Sequence, residues 1–73
     1  MSDIEFSIGP SDESLHYKVL EWLFERSSSY KIIGISFDGD HYSEIHVKGD
    51  YEKAYEGIMH FETKPGISFE HWE

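Results

Sequence analysis

Five histidines and fifteen carboxylates are the side chains of this 73-residue sequence that could ligate a metal or move a proton. The histidines are His16, His41, His46, His60 and His71. A helix offers two imidazoles to one ion when they recur a turn apart, and neither such a pair nor an HExxH run occurs. His41 and His46 differ by an odd number of positions, so they fall on opposite faces of one strand. Asp38, Asp40 and His41 bring carboxylates and an imidazole to one turn, a donor set that suits a metal. Their spacing is not that of a calcium loop, however, and Asp-Gly-Asp is turn chemistry in its own right. No metal and no cofactor is expected.

Catalysis has equally little to work with. There is no cysteine, and the sequence holds no GxSxG elbow, P-loop or GxGxxG. General acid–base chemistry needs a carboxylate or histidine in a concave, partly buried site, and a chain this short leaves little volume for one. His16 and His71 fall on inward faces of their elements and are expected as packed, hydrogen-bonded side chains. The expectation is a non-enzyme.

The remaining resource is charge. Fifteen acids against six bases give a net charge of −9. That sign repels a phosphate backbone, so direct binding of nucleic acid is not expected. It attracts basic protein surfaces and speeds encounter with them. No run approaches the roughly 20 apolar residues of a membrane span, and the first residues lack the basic start and apolar stretch of a secretion signal. A cytoplasmic protein is expected. Aromatics make up 16% of the residues, rings that bury much area apiece, and with no disulfide or thiolate metal site the core must hold the fold alone or with the help of a partner or oligomer. Residues 1–73 read as one acidic α+β domain.

The elements that must position these residues follow from periodicity. In residues 3–8, Ile4, Phe6 and Ile8 alternate with Asp3, Glu5 and Ser7, the mark of a half-buried strand. Ser11 is expected to cap a helix over 12–26 whose stripe is Leu15, Val19, Trp22 and Leu23. Leu20 lies at the stripe's margin and Phe24 well off it. Residues 30–37 form a second strand, with Ile33, Ile35 and Phe37 on one side and Ile32, Gly34 and Ser36 on the other. Asp38-Gly39-Asp40 suggests a hairpin turn. Residues 41–48 form a third strand, with Tyr42, Glu44, His46 and Lys48 on one face. Asp50 caps a second helix over 51–62, with an apolar stripe of Tyr51, Ala54, Tyr55, Ile58 and Phe61. After Pro65-Gly66, Ile67, Phe69 and His71 alternate with Ser68, Glu70 and Trp72. The order β-α-β-β-α-β is the split βαβ pattern of ferredoxin-like domains: a four-stranded antiparallel sheet, strand order 4-1-3-2, with two helices on one face.

The uncovered face then carries the function. On it, Glu5, Glu44 and Glu70 are expected to form an acidic row across three neighbouring strands, supported by Asp3 and bordered by Tyr42 and Trp72. RNA-recognition motifs share the topology but stack bases on aromatics of the central strands, where this chain has acids and small residues. In size and charge the chain resembles small acidic inhibitors of nucleic-acid enzymes and the immunity proteins that neutralise nucleases. The leading expectation is a non-catalytic inhibitor that docks this surface, as a phosphate-backbone mimic, onto a basic partner such as a nuclease or nucleic-acid-handling complex. The alternative is a small regulatory or ligand-sensing module that self-associates as a homodimer through Ile32 and Phe24. Tyr17 and Phe24 could also serve as interface anchors, since aromatics are enriched at hot spots.

Overall fold

A computed structural model describes residues 3–37 and 39–72; the side chains of His71 and Trp72 lie outside that description. The elements are β1 (Asp3–Pro10), α1 (Glu13–Glu25), β2 (Tyr30–Ser36), β3 (Glu44–Asp50), α2 (Tyr51–Glu62) and β4 (Ile67–Trp72). The strands form one sheet in the order β2-β3-β1-β4, and every neighbouring pair is antiparallel. This is the ferredoxin-like arrangement that the element order predicts, with the predicted strand order. The core lies between sheet and helices. Phe6 and Ile8 of β1 and Ile45 and Val47 of β3 meet Val19 and Leu23 of α1 and Ala54 and Phe61 of α2.

Both helices begin on an aspartate. Asp50 Oδ1 accepts from the Lys53 amide at 2.9 Å, as expected. In α1 the cap is Asp12, not Ser11: its Oδ1 accepts from the Leu15 amide at 2.8 Å. Ser11 is taken up elsewhere, because its own amide donates to the Gly66 carbonyl at 2.9 Å and ties the end of β1 to the turn before β4. The helix therefore starts one residue later than the expected cap allows.

Strand β2 departs from simple alternation. Ile32 pairs with Val47 and Gly34 with His46, so Ile33 is an extra residue, a bulge. The bulge switches the parity of the faces. Ile32, expected on the open face, packs against the core, and Ile35, opposite Ile45, also lies on the helix side. The link to β3 is longer than a hairpin turn, since β3 begins at Glu44 and residues 39–43 are irregular. Asp38 lies outside the described residues.

Tyr30 is the core residue that periodicity alone does not reveal. It is 6% exposed. Its ring meets Phe6 edge-on at 6.3 Å and lies 5.2 Å from Trp22. Its hydroxyl donates to the Lys53 carbonyl of α2. Burial, reinforced by the Glu56 carboxylate, pushes the phenol above its usual range, so it stays a donor. The strut requires a close approach by α2, which glycine permits: a Cβ at Gly57 would stand 3.3 Å from the Tyr30 hydroxyl oxygen. The helix accordingly buries Ala54, Gly57 and Phe61 and leaves Tyr51 and Tyr55 exposed, a rotation from the expected stripe.

His16 is buried as expected and shares a 2.6 Å hydrogen bond, through Nδ1, with buried Ser43 Oγ. Ser43→Ala strands that nitrogen without a partner. A loss of about 1–3 kcal/mol is expected, read from urea melts of the two proteins.

Candidate protein-docking surface

Strand register decides what the open face presents. Lys31 pairs with Lys48, Lys48 with Glu5, and Glu5 with Trp72. The neighbouring row runs Gly34, His46, Ser7, Glu70, and Glu44 stands opposite Ser36 beyond it. Asp3 faces Asp50 at the other end. Glu5, Glu44 and Glu70 thus occupy three different rows, each about 7 Å from the next along the strands. The predicted acidic row does not form, because alternation fixes the face of a side chain but not its register. Lys48 lies beside Glu5, with Lys31 one strand further along the same row, and the two dilute its field.

The predicted aromatic border also changes. Tyr42 precedes β3 and turns to the helix side. Its amide donates to the Pro10 carbonyl at 3.1 Å, its hydroxyl donates to Glu13 Oε2 at 3.3 Å, and its ring lies 5.4 Å from His16. Trp72 keeps its place in β4, opposite Glu5, while its side chain lies outside the described residues.

A different surface gathers apolar side chains and acids together. Helical spacing gives α1 distinct sides. His16, Val19 and Leu23 meet the sheet, and Leu15, Lys18 and Trp22 share a groove with the end of α2. Glu13, Tyr17, Leu20 and Phe24 point away from α2, toward the β2 flank. Tyr17 and Phe24 are 60% and 64% exposed, and with Leu20, Glu21 and Glu25 they line a shallow groove of about 590 Å³. Most close backbone contacts of α1 are with β1 rather than β2. The helix-side residues of β2 and its extension are therefore poorly covered: Ile35 is 40% and Phe37 63% exposed. Phe37 lies 5.7 Å from His16, which is 5.3 Å from Tyr17. The apolar surface is thus continuous from Phe24 to Phe37. Phe24 was legible as a residue off the buried stripe, and Tyr17 as an aromatic that could anchor an interface. Ile35 and Phe37 were not, since alternation assigns them to a covered face.

On the opposite face the β2–β3 link seats His41 against Gly9, where a Cβ would come 3.2 Å from the imidazole Cδ2. His41 Nε2 is 2.9 Å from Ser68 Oγ. A hydroxyl on an imidazole is the start of a nucleophilic relay, which also needs a group to orient the ring. His41 Nδ1 is buried with no hydrogen-bond partner among the described residues. The pair reads as packing for the loop. No group of three or more metal-ligating side chains occurs among the described residues, and none of their helices is long and apolar enough to cross a membrane.

Between the helices, the Trp22 indole stacks on the His60 imidazole at 4.8 Å and 16°. Burial, then the charges of Lys64 and Arg26, hold His60 below its usual value near 6.5. The unfolded chain then binds the proton more readily. Stability from this group is complete above pH ~6.5 and is lost as pH falls through the lowered folded value. Thermal midpoints measured from pH 7 to pH 5 should fall more steeply for the wild type than for His60→Gln. Comparison with protein-family models, curated proteins and solved structures finds no match to this chain.

Proposed function

We propose that this chain is a non-catalytic protein-binding module, and that the α1–β2 flank takes a basic, partly apolar surface of another protein. The observation that carries the reading is the groove in which Tyr17 and Phe24 are exposed around a half-buried Leu20, beside Glu21 and Glu25. Exposed aromatics supply anchors to be desolvated, and flanking acids select the sign of the partner. The net charge of −9 steers encounter in the same sense. Proteins that handle nucleic acid carry basic surfaces of this kind. Docking on one would occlude its phosphate-binding path, and the module would act as an inhibitor.

A second copy of this chain fits the flank less well, because Glu13, Glu21 and Glu25 would meet their own kind. The test is capture from an extract of the source cells, with wild type and Glu21→Lys/Glu25→Lys as baits at low and moderate salt. A basic protein retained by wild type, displaced by salt and lost from the charge-reversed bait is the expected result. Equal retention by both baits contradicts it, as does a dimer in sedimentation that the reversal strengthens.

A further inference from the structure

Cations are scarce in this chain, yet two of the six line one groove on the outer side of the helical layer and a third lies over an aromatic ring of its wall. Lys18 and Trp22 of α1 line it from one side; His60, Phe61 and Lys64, at the end of α2, line it from the other, over a floor that includes Leu15. Arg26 lies over the Trp22 ring, its guanidinium carbon 4.3 Å from the ring centroid. Lys18, Lys64 and Arg26 are three of the six basic residues, while no acid among the described residues lines the groove. Among the described residues, the salt bridges formed are Arg26 to Glu25 and Lys53 to Glu56, so Lys18 and Lys64 have no acid partner.

The position of Lys64 and His60 has a local explanation, since cations suit the carbonyl end of a helix. Lys18 has none. It stands mid-way along α1, on the side that faces α2. The walls are stiff: Trp22 stacks on His60 and meets Phe61 edge-on at 4.9 Å. The hollow measures about 400 Å³, within the range of small-molecule sites. Most of the acids of the chain are elsewhere on the surface, and at physiological salt fields fade over roughly 8 Å. The local cations therefore outweigh the net charge inside the groove.

We infer that this groove between the helices binds a small carboxylate with a flat, apolar body, its anionic end between Lys18 and Lys64 and its body against Leu15, Trp22 and Ile67. The site is independent of the α1–β2 flank, because it uses the opposite side of α1. His60 provides a neutral N–H at first, and a bound anion offsets the charges that disfavour its protonation. Binding and proton uptake at His60 are thereby coupled.

Titration of isotope-labelled protein with naphthoate, followed by NMR, tests the site, with neutral naphthamide as the matched control. Saturable shifts of the Trp22 indole N–H, His60 and the residues around Lys64 are expected, with naphthoate favoured over naphthamide by about tenfold. Lys18→Gln/Lys64→Gln should erase that preference while leaving naphthamide binding and the circular dichroism spectrum unchanged. Lys18→Glu alone, at an exposed position, supplies the same reading if the double variant folds poorly. Naphthoate should also raise the His60 titration midpoint. Equal affinity for the two probes, a preference that survives both variants, shifts outside the groove, or no saturable binding at millimolar naphthoate would each overturn the inference.

Discussion

Tyr30→Ala is expected to strip the chain of a large part of its stability. Deleting a large buried aromatic removes its transfer energy and leaves a cavity, together about 3–5 kcal/mol. A domain of this length is held by roughly 4–11 kcal/mol in all. Tyr30 is also the strut under both helices, touching Trp22 and Phe6 and donating to the carbonyl of Lys53. No disulfide offsets the loss. Tyr30→Phe separates the two contributions: it keeps the ring and loses the hydrogen bond, at about 1 kcal/mol. Circular dichroism and urea melts report both. A wild-type midpoint for Tyr30→Ala would mean that the helices are held by other contacts.

The second large effect is on binding. Tyr17→Ala/Phe24→Ala should lower affinity for the basic partner by about a hundredfold or more, since interface aromatics carry roughly 2 kcal/mol or more apiece. The same double variant should melt close to wild type, because both side chains are mostly exposed in the free protein and the ring contact of Tyr17, edge-on to His16, is a small part of the core's packing. That split between binding and stability separates an interface from a packed face. Calorimetry with the purified partner and a thermal melt of the free variant give the two readings. Loss of both together would mean that Tyr17 and Phe24 serve the fold.

Much of the fold was legible because local signals agreed with one another. Alternation in β1, the acid cap at Asp50 and the helical stripe through Val19 and Leu23 each match the structure. What could not be read depends on relations between distant segments. The bulge at Ile33 arises from pairing with β3, and it sends Ile32 inward against the expected alternation. The α2 stripe is turned because Gly57 lets the helix approach Tyr30, a contact made across the fold. The candidate site suffered most. Glu5, Glu44 and Glu70 share a face, as alternation implies, but the register sets them in separate rows among Lys31 and Lys48. Tyr42 was placed on that face as part of a strand over 41–48, whereas it lies before the strand begins and bonds to Glu13. Phe24 stood out in the sequence because its place off the stripe follows from helical spacing alone.

Site-specific photo-crosslinking measures most directly which surface meets the partner. A benzophenone amino acid is placed at position 24 on α1 in one protein and at position 44 on the open sheet face in another, and each is irradiated in an extract of the source cells. The α1–β2 flank predicts a discrete crosslink to a basic protein from position 24, competed by unlabelled wild type, and none from position 44. A competed crosslink from position 44 with none from position 24 would return the interface to the open sheet and contradict the assignment.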